Sequence, residues 1–412
     1  MRSRGTSRIR EQLGRVPGHA STGFIVTGLL VTVACVSGNA GAGRLGFSLG
    51  LIAAAAALGW AKLTAAGDGP AAGVAGGGSV RAWMIWAMAA LVLLHCGLAW
   101  RFVHNAPPLT DCYVFQRDAV NDLLHGVDPY GGTRPDIYDA HQTAEFYTAE
   151  TEINGRVQVG LQYPPVTLLS ALPGVLMGDL RYGYIAAMAL AAVFLFAAMP
   201  DARGLSLATV VLLSPVTFVV EGMSWTEPLV WMLLCATFYA ALKRPRWLPL
   251  ALGLFLASKQ YNVLALPFLG YWLRGFDWRG YWRLLGGAIA VALVTMLPFA
   301  VWNFHALWHD LVWFHLAQPM RPDAVSFAVL YPPALEIGPL LVLAFIAWAL
   351  LRTARRAELF PAAYAMAMLL LVATSKQAFM NYYFLIALCF LLAGAALWPE
   401  RQSATESQTQ RA

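Results

Sequence analysis

Long apolar runs separated by short polar breaks organise this chain. A helix needs about 20 apolar residues to cross the hydrocarbon of a bilayer. Runs of that kind occupy 22–40, 45–65, 82–103, 181–200, 205–220, 226–243, 283–303, 326–351, 358–374 and 378–397. The stretch 247–273 reads as two short helices broken at Ser258–Gln260. The run 163–178 is also apolar, but it is short and holds three prolines together with Gly174 and Gly178. Proline removes a backbone donor and breaks helix interiors, so this run is expected to lie on the membrane surface instead of crossing it. With 247–273 counted as a short hairpin, the pattern predicts an all-α polytopic membrane protein of about twelve helices.

Composition agrees with a bilayer setting. The 412 residues are 59% hydrophobic and only 12% charged, where soluble domains average about 25% charged. Fifteen Trp and fifteen Tyr suit interfacial aromatic belts. The net charge of +6 therefore argues for cytoplasmic loops rather than nucleic-acid binding, because Lys and Arg mark the inner side of membrane proteins. The basic N-terminus "MRSRGTSRIREQLGR" starts inside, and the apolar run after it reads as an uncleaved first span rather than a signal peptide, since the basic region is long and further spans follow. Residues 1–80 are then a basic tail, two membrane helices and a flexible Gly/Ala spacer over 66–80. Residues 81–398 form the main membrane unit, and 399–412 a cytoplasmic tail. Span 82–103 delivers 104–180 to the outer face, and "PDARG", "KRPRW", "RGFDWRGYWR" and "LRTARRAE" all fall inside. The cysteines at 35, 96, 112, 235 and 389 show no paired spacing, so neither a disulfide nor a metal site is inferred.

The outer segments are 104–180, 221–227, 258–260, 304–325 and 375–377. They come from distant parts of the chain, yet hold most of the polar side chains that the inner loops do not explain. Asp111 lies just past a span and opens "DCYVFQRDAVNDLLHGVDPY". Asp111, Phe115, Asp118 and Asp122 recur at helical spacing, with Val114 and Leu123–Leu124 as an apolar side, which predicts an amphipathic helix on the membrane. Position alone favours a solvated aspartate, and this helical context weighs against it. Lys259 interrupts an apolar stretch; a charge at membrane depth is costly and marks function by default, although snorkelling is the bland alternative. Lys376 repeats the same "SKQ" tripeptide. Arg321 and Asp323 stand just before span 326–351. Two lysines and an arginine at this boundary suit a lipid phosphate, gripped bidentately by Arg and as a point charge by Lys. His305, His309 and His315 cluster in one outer stretch. His305 and His309 lack the glutamate of the H-E-x-x-H zinc pattern, and His315, nearest Arg321, is the candidate site histidine. Glu221 and Glu227 are compatible with pairing to lysines or with binding a sugar hydroxyl.

With these residues in view, the chain resembles the polytopic GT-C glycosyltransferases, and most of all glycosyltransferase family 87, which includes polyprenol-phosphate-mannose-dependent α-1,2-mannosyltransferases. The matching pieces are the first outer loop with "DCYVFQRDAVNDLLHGVDPY", then "LQYPPVTLLSALP", "SKQYNVLALPFL", "QPMRPDAVSF" and "SKQAFMNYYFLIAL", from about residue 82 onward. The two helices before residue 66 lie outside that pattern. The resemblance implies that Asp111 is the catalytic base. It implies a polyprenyl-phosphate sugar donor in the outer leaflet of the plasma membrane, and a glycolipid or cell-envelope glycan as acceptor. A positioned carboxylate can take the proton of an attacking hydroxyl, and Lys259, Arg321 and Lys376 would stabilise the departing lipid phosphate. Attack opposite the phosphate inverts the anomeric carbon. Asp118, Tyr130, Tyr163 and His315 complete the candidate site, with Tyr113 and Trp225 as further aromatic candidates. No cofactor is required; a divalent metal held by first-loop carboxylates is compatible with the scheme.

Three other readings compete. A structural or assembly membrane protein without catalysis gives no reason for Asp111, Lys259, Arg321 and Lys376 to share one face. An arabinofuranosyl donor fits the same chemistry. A lipid or sugar transporter would place charges mid-span and show inverted repeats with broken helices, and only 247–273 resembles a broken helix.

Overall fold

The computed structural model of the protein describes residues 82–105, 110–273, 277–353 and 355–397. The expected spans at 22–40 and 45–65, the 66–80 spacer and the 399–412 tail lie outside the described residues. In chain order the helices are α1 (Ala82–His104), α2 (Asp111–Leu124), α3 (Ala140–Phe146), α4 (Pro165–Leu176), α5 (Arg181–Ala198), α6 (Ala202–Leu213), α7 (Pro215–Gly222), α8 (Glu227–Lys243), α9 (Leu248–Leu256), α10 (Trp278–Trp308), α11 (Phe314–Ala317), α12 (Phe327–Leu330), α13 (Ala334–Arg352), α14 (Phe360–Ala373) and α15 (Met380–Leu397).

The chain is built as a helical membrane protein. Helices α1, α5, α13, α15 and the stretch Trp278–Ala317 are long and apolar enough to cross a membrane. The pair α6 and α7 would make a sixth crossing, bent by 55° where Pro215 follows Ser214. The core gathers on α5, α8, α14 and α15, around Trp231, Phe238, Phe360, Tyr364 and Phe384. By contrast, α1, α10 and α13 leave large apolar side chains uncovered, among them Trp86, Val301 and Leu343. Such faces would drive association in water; against acyl chains they are solvated.

The segment between α1 and α5 starts and ends at one end of the bundle, with its described part covering residues 105 and 110–180. The hydroxyl of Tyr182, at the start of α5, lies 3.3 Å from Nε2 of His104, at the end of α1. Helix α4 rises only about 18 Å at 1.5 Å per residue, too short to cross hydrocarbon about 30 Å thick. The apolar run 163–178 therefore does not span, as its prolines led one to expect. Within this segment β1 (Arg134–Pro135), β2 (Glu152–Ile153) and β3 (Arg156–Val157) form a small antiparallel sheet in the order β1-β3-β2. Asn154 and Gly155 carry φ of 54° and 76° in the two-residue turn between β2 and β3, the Asn-Gly hairpin that favours positive φ.

Three expectations change. The 304–325 stretch is not an outer loop throughout: the backbone breaks at Asn303 (φ −157°, ψ 86°), resumes as helix, passes through a π turn at His309–Trp313 and ends at Ala317. The 326–351 span starts late, because Pro332 and Pro333 separate α12 from α13. On α2 the buried stripe is Phe115, Gln116, Ala119 and Val120, so Phe115 faces inward and Leu124, expected on the apolar side, is exposed. The break at Ser258–Gln260 is present, and the chain beyond it runs through 3-10 turns over Gln260–Trp272, with Pro267 inside.

Candidate active site

Asp111 is the first residue of α2. Thr110 caps the helix by accepting the Tyr113 N–H at 3.3 Å, and its hydroxyl donates to the Met223 carbonyl at 3.1 Å, fastening α2 to the segment after α7. A carboxylate at a helix N-terminus is favoured by the macrodipole, and Asp111 Oδ1 accepts the Cys112 N–H at 2.7 Å. Burial nonetheless pushes the Asp111 carboxyl above its ordinary range; the Cys112 hydrogen bonds, the Arg321 charge and a hydrogen bond from Tyr138 pull the other way. Burial also holds the Tyr138 hydroxyl well above its usual value, with the Asp111 charge adding to the effect. Tyr138 thus stays protonated and able to donate.

Arg321 is held from three sides. Its Nε and Nη2 donate to Asp323 at 2.8 and 2.9 Å. Its guanidinium lies 3.3 Å from the ring centroid of Phe146, at the end of α3, and 5.1 Å from that of Phe379. Its backbone N–H donates to the Lys376 carbonyl at 3.1 Å. Asp111 and Arg321, 210 positions apart in sequence, are thereby brought near enough for the Arg321 charge to act on the Asp111 carboxyl.

Lys259 is buried and its ammonium lies 2.5 Å from Glu227 Oε1, within 5.4 Å of the Tyr163 ring, 5.2 Å of Tyr261 and 5.1 Å of Tyr382. Tyr261 also donates to Glu227 Oε1 at 3.2 Å, while Glu227 Oε2 is buried without a partner. The lysine assigned to a lipid phosphate is thus already charge-matched by Glu227, one of the two glutamates left open for pairing with a lysine. Tyr163 links this cage to the base: its hydroxyl lies 3.0 Å from Cys112 Sγ, on the residue next to Asp111. Tyr130 donates to the Tyr163 carbonyl at 3.0 Å, so it supports Tyr163 from behind.

The other expected residues take mixed positions. Lys376 donates to the carbonyls of Leu316 and Gln318, neutralising the C-terminal end of α11; burial pulls its ammonium below the ordinary value. His315 Nε2 lies 3.1 Å from the Gln162 carbonyl and 3.1 Å from the Gln260 amide nitrogen, one shell behind Tyr163. Asp118 pairs with Arg117 at 2.8 Å and Asp122 with Arg134 at 2.6 Å; neither carboxylate turns toward Asp111. Trp225 packs against the main core, and Tyr113 lies under Arg181 at 5.4 Å and Arg117 at 5.8 Å.

Tyr138, Tyr261, Tyr382, Phe146 and Asp310 were not singled out in the sequence, and Glu227 was left open. Only Asp310, an acid inside the largely apolar stretch that ends at Ala317, carried a readable signal. Among the described residues, no three His, Cys, Asp or Glu side chains gather as a metal site. The arrangement can accept a proton at Asp111, offer positive charge from Arg321, and present aromatic faces together with one unsatisfied carboxylate oxygen.

No protein-family model matches the chain, and no curated protein matches it. Among solved structures, it is similar to ArnT from Cupriavidus metallidurans bound to undecaprenyl phosphate, with a TM-score of 0.45 and 19% identity, covering 78% of this chain and 62% of that one. The apo-state crystal structure of ArnT gives a TM-score of 0.45 and 18% identity, covering 79% of this chain and 62% of that one. The chain thus spans less than two thirds of the length of these neighbours.

Proposed function

We propose that this protein is a polyprenyl-phosphate-dependent membrane glycosyltransferase of the GT-C type, with Asp111 as general base. The donor sugar, by the resemblance, is mannose, and the acceptor is a hydroxyl of a glycolipid or cell-envelope glycan at the extracytoplasmic face of the plasma membrane. The observation that carries the reading is the Arg321 charge acting on Asp111, a half-buried carboxyl of raised proton affinity that Tyr138 also hydrogen-bonds, with the Arg321 guanidinium stacked against Phe146 and Phe379. A carboxylate made more basic by burial is a better proton acceptor near neutral pH. As the acceptor oxygen attacks the anomeric carbon, its proton passes to Asp111 and the bond to the lipid phosphate breaks. Arg321 meets the charge that grows on that phosphate. Lys259, balanced by Glu227, adds a donor and orders the three tyrosines; Lys376 adjoins Arg321, whose backbone N–H its carbonyl accepts.

The test is sugar transfer from polyprenyl-phosphate mannose to a membrane glycolipid extract by purified protein and by Asp111→Asn. Transfer by the wild type alone, with donor binding kept in the variant, supports the assignment. Equal transfer by both removes Asp111 as the base, and transfer by neither removes the donor or the reaction class.

A further inference from the structure

A second buried carboxylate holds the strap that leads into this site. Residues 158–164 form no helix or strand, so their path is set by whatever satisfies their backbone groups. Asp310, 1% exposed, sits in the π turn that follows α10. Its Oδ2 accepts the N–H groups of Gly160 and Leu161, each at 2.8 Å. Its Oδ1 lies 2.9 Å from His309 Nδ1, so both oxygens of a buried charge are partnered, as burial requires. The carbonyl of Gly160 is held from the opposite side, accepting from Arg134 Nε at 2.6 Å. Arg134 in turn binds the Pro129 carbonyl at 3.1 Å and Asp122 of α2 at 2.6 Å. A side chain at residue 160 would come within 2.5 Å of the Pro129 carbonyl oxygen, so glycine is required there.

The next two residues reach the site. The Gln162 carbonyl accepts from Gln260 at 2.7 Å, and Tyr163 meets both Cys112 and Lys259. We propose that Asp310 is a positioning residue for sugar transfer: by clamping the Gly160 and Leu161 amides to the long membrane helix, it seats Tyr163 between the base-bearing turn of α2 and the Lys259–Glu227 pair. The inference rests on the reading of Asp111 as the base, but the seat itself has a readout that needs no substrate. Cys112 packs under Tyr163, so its accessibility reports whether the strap is seated.

The experiment compares wild type, Asp310→Asn and Asp310→Leu in a background where Cys112 is the sole cysteine, following thiol labelling and transfer kinetics. Asn keeps an oxygen that accepts both amides, and is expected to label and turn over close to wild type. Leu keeps none; Cys112 should label about tenfold faster as the strap opens locally. Its kcat should fall by about 10²-fold, the scale of a small misplacement of reacting groups, with the donor KM little changed. A folded Leu variant with wild-type labelling, or with wild-type kcat, overturns the proposal. A labelling difference without transfer by the wild type would keep the seat and remove the transferase reading. If the Leu variant does not fold, hydrogen exchange of the wild type decides. The Gly160 and Leu161 amides should exchange far more slowly than those of the exposed Asn154–Arg156 turn, and equal rates overturn the clamp.

Discussion

At the scale of single residues, Asp111 carries conflicting demands. Burial raises its carboxyl above the unfolded value. A raised acid favours the protonated form in the folded state, so this group's contribution to stability is present below the unfolded pKa and is lost as pH rises and the carboxylate forms. Asp111→Asn keeps the oxygen that accepts the Cys112 N–H and removes the charge. It is expected to abolish transfer, losing about 10²-fold or more in rate, while raising the melting temperature at neutral pH. A fall in melting temperature would show that the native charge is well solvated or paired. In the wild type, the acidic limb of the rate profile should lie above the usual Asp value of about 3.9, with activity lost as pH falls through it. Arg321 invites a second substitution. Its planar group stacks on Phe146 and forks to Asp323, geometry that lysine cannot reproduce. Arg321→Lys should therefore weaken donor binding despite conserving charge, as measured by isothermal titration with polyprenyl phosphate; unchanged affinity would remove Arg321 from the phosphate site.

At the scale of elements, two buried ionisable pairs tie helices together. Lys259, at the break after α9, joins the first residue of α8 through Glu227. His95 of α1 joins Glu221 of α7 at 2.9 Å, with both side chains fully buried. His95 Nδ1 lies 2.8 Å from the Leu212 carbonyl. A carbonyl only accepts, so Nδ1 donates to it and Nε2 faces Glu221. Removing one member of such a pair leaves the other uncompensated and costs about 3–5 kcal/mol. Replacing both members by apolar groups of similar volume is far milder. Thermal unfolding in detergent should therefore show His95→Ala strongly destabilised and the His95→Phe, Glu221→Leu double variant close to wild type. Additive losses would mean that the two groups do not depend on one another.

At the scale of the whole molecule, the prediction concerns sidedness. Ala140 is exposed in the segment that carries Asp111, and Pro245 is exposed in the basic turn after α8. A cysteine at 140 should react with an impermeant reagent added outside cells, and a cysteine at 245 should not. The opposite pattern would put the site on the cytoplasmic face.

What the residues alone determined is the class of molecule and the neighbourhood of its polar groups. Apolar length decides which segments can cross a membrane, and prolines in 163–178 decide that this one does not. The break at Ser258–Gln260 was legible because a lysine cannot stay in hydrocarbon without a partner. Positive charge, read as facing inward, left Asp111, Glu227, Lys259, Arg321 and Lys376 on one face, and these segments do meet. The partners were a matter of tertiary structure. Whether Lys259 is a free cation depends on Glu227, which is 32 residues away and enters on another helix. Whether Asp111 is a solvated acid depends on how deeply α2 packs and on Tyr138 and Arg321 closing around it. Asp118 and Asp122 show the limit most plainly: their helical spacing from Asp111 is correct, yet Arg117 and Arg134 hold them in other directions. Periodicity assigns a side chain to a face of its own helix, while the direction in which its charge is used depends on packing between segments far apart in the chain.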